Sequence, residues 1–264
     1  MFALGHEDLP PKVQVRLDKA RDDLLEVGDY IARVAAAPRH WDNLRAGVVR
    51  PIRETLRSMC GDAEPCCYCG DSVGVSVDHI RPKALYPEHT FVWANLLLAC
   101  ARCNTTKGDR FAVIIEGELI DVTRPRNAEV IPPLQGAMAL IDLREEDPLK
   151  LLQVELSTGL VLARRRLSST QRTRADYTRN DLLKLNDDPL PTRRHQAYGN
   201  FRARVREYAR RKHVDRVDAT ELSGLRAELL RLPHQLVWRE MQRQRASIPE
   251  LELLFAEVPE AIGW

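Results

Sequence analysis

The residues predict an α+β chain dominated by helix. Three observations carry that reading. Apolar stripes at helical spacing fill both ends of the 264-residue chain, strand-like pieces are few and short, and all six cysteines fall between residues 60 and 103. Hydrophobic residues at 44% and charged residues at 30% fit a globular chain and not a disordered one. No apolar run approaches the roughly 18–20 residues that span a bilayer, so no membrane segment is expected. The N-terminus "MFALGHEDLPPK" has no basic stretch followed by an apolar one, which makes the cytoplasm the expected compartment.

The elements follow in order. Residues 1–59 read as an N-terminal helical region of two helices. The first is "PPKVQVRLDKARDDLLEVGDYIARVAAA", and a break at "PRH" precedes "WDNLRAGVVRPIRETLRSMC", in which Pro51 should kink or divide the helix. The pair is a helical scaffold or a docking face for a partner. Residues 60–125 hold the cysteines and the strand-like pieces "VGVSV" and "FAVII-EGELI", the latter a hairpin turning at Glu116-Gly117. Residues 126–264 form a mainly helical C-terminal region after one hairpin, "LLQVELSTGLVLA". Its helices are "RTRADYTRNDLLKLN", "TRRHQAYGNFRARVREYARRKH", "DATELSGLRAELLRL" (capped by Asp218 or Thr220) and "HQLVWREMQRQR". Net charge is only +2, yet residues 161–220 hold 16 Lys/Arg against 7 Asp/Glu. That excess is either a set of solvated helix faces or a nucleic-acid contact surface.

Five cysteines fall in "CCYCG" and "CARC". Cys66 with Cys69, and Cys100 with Cys103, each form a Cys-x-x-Cys pair, and four thiolates satisfy a tetrahedral Zn²⁺. Disulfides are the competing reading and are disfavoured in a reducing compartment. Spacing leaves open a swap of Cys67 for Cys66. Cys60 has no partner at metal spacing and reads as an ordinary buried thiol.

Between the pairs lies "VDHIRPK", which packs Asp78, His79, Arg81 and Lys83 together. Asn95 follows in "WANLLLAC" and Asn104 in "CNTTKGD". Cys100, Cys103, Asn104 and Lys107 are spaced to lie along one side of a short helix that Gly108 can end. Such a helix would bind zinc with two residues and offer Asn104 and Lys107 beside it.

The "DHI" strand, the asparagine before "LLLAC", the "CxxCNxxK" ending and the paired cysteines together resemble the HNH endonuclease family. The resemblance implies the ββα-metal fold, in which a β-hairpin and a helix clamp one divalent cation, here flanked by helical regions. It also implies the chemistry. Neutral His79 would take the proton of an attacking water. Asp78 and Asn104 would hold a Mg²⁺ (or Mn²⁺) ion against the scissile phosphate and leaving oxygen. Asn95 would fix the hairpin loop and help orient the histidine. Asn104 stands where family members often carry histidine, and its neutral amide favours a hard ion such as Mg²⁺. Arg81, Lys83 and Lys107 are candidates for phosphate contacts or plain surface charges. His6, His40, His89, His195, His213 and His234 lack such company and read as ordinary.

A narrower resemblance covers residues 60–210. "CxYCG…VDHIRPK…YPEHTFVWANLLLACARCNTTKGDRF" is similar to the HNH nucleases of bacterial anti-phage systems, namely the nuclease subunit of Septu and similar nucleases carried by some retrons. It implies a DNA substrate, an SMC-like ATPase partner and a role in antiviral defence. Two alternatives stand beside it: a standalone restriction-type or homing HNH endonuclease, and a non-catalytic zinc-stabilised DNA-binding or adaptor module. A pure binding module has no need of Asp78, His79, Asn95 and Asn104 together.

Overall fold

The computed structural model describes residues 4–60, 65–71, 74 and 76–264. Helix dominates it, around small sheets. Helix α1 (Pro11–Leu25) begins with proline in its first turn and buries Val13, Leu17 and Leu24. Helix α2 (Tyr30–Met59) is capped by Asp29, whose carboxylate accepts from the Ala32 amide. The expected break at "PRH" is therefore wrong. The chain turns earlier, at Glu26–Asp29, and α2 runs unbroken through both Pro38 and Pro51.

The reason at Pro51 is a contact from outside the helix. Proline has no N–H, so it frees the carbonyl four residues earlier, that of Gly47. The Arg16 guanidinium of α1 donates to this oxygen at 3.1 Å. Beyond it, Val48, Ile52 and Leu56 are fully buried, so packing holds the helix together across the proline.

Strand β1 (Ser76–His79) pairs antiparallel with β2 (Leu96–Ala99), placing Asp78 opposite Leu97 and His79 opposite Leu96. Val73 and Val75 of the expected "VGVSV" strand lie outside the described residues. Helix α3 (Ala101–Lys107) follows β2 directly. Gly108 stops it at φ 50°, a left-handed angle that suits glycine. The order β1, β2, α3 is the expected ββα unit. The "FAVII-EGELI" hairpin forms as β3 (Ala112–Ile115) and β4 (Glu118–Asp121). Its turn has positive φ at both Glu116 and Gly117, as a two-residue hairpin turn of the primed type requires. β5 (Ala137–Met138) adds to the free edge of β3.

The second hairpin is β6 (Leu152–Glu155) with β7 (Leu160–Ala163). Then come α4 (Ser169–Asp176), α5 (Leu190–Arg210), α6 (Ala219–Leu230), α7 (Gln235–Gln244) and α8 (Pro249–Glu257). Asp218 caps α6 by accepting from the Glu221 amide at 2.9 Å. α8 is not among the expected helices. One apolar core runs from Leu4 to Ala261, and a satellite of Leu85, Tyr86, Phe111 and Val113 packs beside the ββα unit. Among the described residues, no helix is long and apolar enough to cross a membrane.

Candidate metal and nuclease site

The Cys66–Gly70 turn, closed by the Gly70 amide on the Cys66 carbonyl at 2.8 Å, faces the start of α3. Cys66, Cys69, Cys100 and Cys103 are all buried, and their Sγ atoms lie within 4.8 Å of one another. A tetrahedral ZnS₄ centre with bonds of about 2.3 Å needs sulfur–sulfur separations of about 3.8 Å. Cys69 and Cys100 stand 3.9 Å apart. Mutual hydrogen bonds hold the Cys69 thiol far below its ordinary range and push those of Cys66 and Cys103 up, as in a cluster whose sulfurs share protons until a cation replaces them. This cluster could bind zinc. Cys67 lies outside it, with its amide on the Leu98 carbonyl and its thiol pushed up by burial and then by a hydrogen bond with Cys60. Cys60 is half-buried.

The C-terminal region braces this knuckle. His234 donates from its amide to the Gly70 carbonyl at 2.8 Å, and its Nε2 meets Asp71 Oδ1 at 3.0 Å. Burial lowers the His234 pKa to about 4, so the ring is neutral in the fold. An unfolded chain takes up that proton below about 6.5. This contribution is therefore fully present above about pH 6.5 and is lost as pH falls through about 4, some 3 kcal/mol in all. His234→Asn tolerates the left-handed backbone of residue 234 and does not titrate there. Its melting temperature should depend less on pH between 6.5 and 4 than that of the wild type. Parallel melting curves would remove His234 as a source of acid lability.

Alternation along β1 sends Asp78 and His79 to opposite faces. Asp78 is 8% exposed and looks toward the knuckle and α3. Its Oδ2 accepts from the Tyr68 hydroxyl at 2.7 Å and lies 3.2 Å from Lys107 Nζ. The same ammonium donates to the His79 carbonyl at 2.7 Å. Lys107 is 1% exposed. The expectation that it meets phosphate is thus corrected. The face of α3 that carries Cys100 and Cys103 points inward, so a lysine on that face points inward too. Asn104 donates to Ser76 Oγ at 3.2 Å. Ser76 shares a β1 face with Asp78, so both candidate ion ligands lie at the β1–α3 junction. Among the described residues, neither Asp78 Oδ1 nor Asn104 Oδ1 accepts a hydrogen bond. One carboxylate oxygen and one amide oxygen make a hard donor pair that fits Mg²⁺ with waters and substrate oxygens filling its shell.

His79 is 4% exposed. Its Nε2 lies 2.9 Å from the Thr90 carbonyl, so Nε2 carries the proton and Nδ1 keeps its lone pair. Trp41 of α2 packs edge-on to the ring at 4.5 Å between centroids. Lys83 Nζ stands 3.4 Å from Nδ1. Burial, then the nearby Lys83 charge, holds the imidazole pKa well below its ordinary value. Burial also lowers the Lys83 ammonium, against the pull of Asp109 and Asp78.

The Thr90 carbonyl is held in place by Asn95. That side chain accepts from the Arg81 amide at 2.7 Å and donates to the carbonyls of Arg81 (3.1 Å) and His89 (2.9 Å). It thereby ties both ends of the 81–89 loop together, one residue from Thr90. Asn95 thus braces the loop that precedes Thr90. Arg81 turns away from this centre, its guanidinium over the rings of Tyr86 at 5.3 Å and Phe111 at 5.7 Å. Tyr68, Thr90 and Trp41 escaped the sequence reading. Thr90 acts through its backbone and leaves no residue signal, and Trp41 comes from a helix 38 positions upstream of His79.

Residues 66–110 match the family model for HNH endonucleases. This segment is an HNH domain. Its limits enclose both cysteine pairs, Asp78, His79, Asn95 and Asn104, so the match and the ββα geometry fall on the same residues. No curated protein matches the chain. The HNH domain occupies a small part of the molecule, between α2 and the β3–β4 hairpin.

Proposed function

We propose that the chain is a metal-dependent endonuclease that hydrolyses DNA phosphodiester bonds. The chemistry belongs to residues 60–125, with the helical flanks 1–59 and 126–264 as scaffold and docking surfaces. The observation that carries this reading is the fixed tautomer of His79. Thr90 holds the Nε2 proton, which leaves Nδ1 as a base of lowered pKa, unprotonated at neutral pH. His79 Nδ1 takes a proton from water as the water oxygen attacks phosphorus, and the bond to the 3′ oxygen breaks with its electron pair. Lys83 beside Nδ1 disfavours a lasting imidazolium and offers a positive charge to the phosphate. Asp78 and Asn104 would hold Mg²⁺ (or Mn²⁺) through their free oxygens, and the bound ion would supply Lewis-acid stabilisation of developing charge. Asn95 keeps the loop, and hence the base, in register.

Within that reading, we assign the chain to an anti-phage complex as its nuclease effector, with an SMC-like ATPase as partner. The support is the similarity of residues 60–210 to Septu-type nucleases and the presence of helical flanks beyond what the chemistry requires. A supercoiled plasmid incubated with the purified chain should become nicked in Mg²⁺ and stay supercoiled in EDTA, with activity restored on adding Mg²⁺ back. Nicking that persists unchanged in EDTA, or no nicking even with the native partner present, would sink the nuclease reading. Affinity capture from the native host should recover an ATPase. Recovery of the chain alone would favour a standalone enzyme.

A further inference from the structure

The basic excess of residues 161–220 is not spread evenly once the chain is folded. Most of its cations pair with carboxylates: Arg174 with Glu146, Arg179 with Asp176, Arg193 with Asp71, Arg202 and Arg206 with Glu250, Arg204 with Glu228, Arg210 and Arg211 with Asp215, and Lys212 with Glu260. Three of the cations left without a carboxylate lie together at the end of the β6–β7 hairpin. There Lys150, Arg164, Arg165 and Arg166 line one groove of about 390 Å³ with Gln153. Among the described residues, none of these four cations has a carboxylate partner. Arg164 donates to the Leu149 carbonyl at 3.0 Å. Arg172 of α4 donates to the carbonyls of Arg164 and Arg165 at 2.9 and 3.2 Å. Neutral carbonyls fix these two guanidinium groups without cancelling their charge. They also pin the strand end, so that Arg165 and Arg166 project into solvent.

We propose that this groove binds the phosphodiester backbone of DNA, as a contact surface separate from the HNH domain. This rests on the reading of the chain as a DNA nuclease. A site for a small free anion encloses its donors. Here two consecutive arginines are exposed on a fixed strand end, which suits a row of phosphates that releases counterions on contact. The contacts fall on the backbone, so they add affinity without sequence preference.

The test is fluorescence anisotropy of a short labelled duplex in EDTA, where no cleavage occurs, across a range of salt concentrations. Replacing both Arg165→Ala and Arg166→Ala should weaken binding roughly tenfold to a hundredfold and lower the log–log salt slope by about 0.9 per lost contact. Arg165→Lys with Arg166→Lys should bind within a few-fold of wild type, and Arg204→Ala, whose partner is Glu228, should change nothing. An alanine pair that binds with wild-type affinity and slope overturns the proposal, as does a wild-type chain that does not bind duplex in EDTA. Calorimetry with sodium tripolyphosphate separates the sources. Saturable binding that the alanine pair loses while keeping DNA affinity would make this a free-phosphate site instead. Failure of plasmid nicking in Mg²⁺ would overturn the nuclease reading and leave the EDTA binding result to stand alone.

Discussion

His79→Asn should lower Mg²⁺-dependent nicking by roughly a hundredfold to ten-thousandfold, the span of general-base contributions. Asparagine is chosen because the ring sits in a packed site against Trp41, and alanine there would leave a cavity that destabilises the domain for unrelated reasons. The shorter Asn amide overlays the Nδ1 side of the ring and gives up the Thr90 contact, while the 81–89 loop keeps its anchor through the three hydrogen bonds of Asn95. What it lacks is a basic nitrogen at the position of Nδ1. Circular dichroism and metal content should match the wild type. A variant nicking within a few-fold of the wild type would show that the base is another group, and Lys83 would be the next residue to change.

Removing the metal from the four cysteines should unfold the HNH domain. Freshly purified, reduced protein should contain one zinc per chain. Structural zinc sites supply apparent free energies of about 10–16 kcal/mol, as much as the whole stability of a typical domain, about 5–15 kcal/mol. The geometry explains the dependence. Without the ion, four buried thiols crowd within 4.8 Å, and the Cys66–Gly70 turn loses its tie to α3. That helix positions Asn104 and Lys107. A strong thiol-competitive chelator, or Cys103→Ser, should therefore abolish nicking and lower the melting temperature together, and added Zn²⁺ should reverse the chelator's effect where Mg²⁺ does not. Brief EDTA treatment should behave oppositely, with activity returning on Mg²⁺ alone. A zinc-free chain with unchanged melting would remove the structural role of the cluster.

Much of the site was legible in the sequence because its parts are residue types at short, fixed spacing. Cys-x-x-Cys pairs, adjacent Asp78 and His79, and the helical interval from Cys100 to Lys107 need no long-range contact to be seen. The helix of seven residues, its glycine stop and both hairpins follow from local rules. What escaped was set by tertiary partners. The course of α2 through Pro51 depends on Arg16, 31 positions before Gly47, and no local rule supplies that donor. Lys107 was read as a surface cation because charge is visible in a sequence and the inward turn of its helix face is not. The basic stretch 161–220 divided only when carboxylates, several of them from elsewhere in the chain, came beside it. The anchor of His79 is a carbonyl that any residue at position 90 would possess.

The ion pair between Lys107 and Asp78 separates two needs that a single metal ion would otherwise serve. A carboxylate enclosed at 8% exposure costs several kcal/mol unless something balances it. Lys107 and the Tyr68 hydroxyl provide that balance from within the chain. The chain can thus close its interior around Asp78 with no divalent ion at the β1–α3 junction. On the reading proposed above, such a chain would be assembled inert, stored so, and armed only when divalent ion and substrate arrive together.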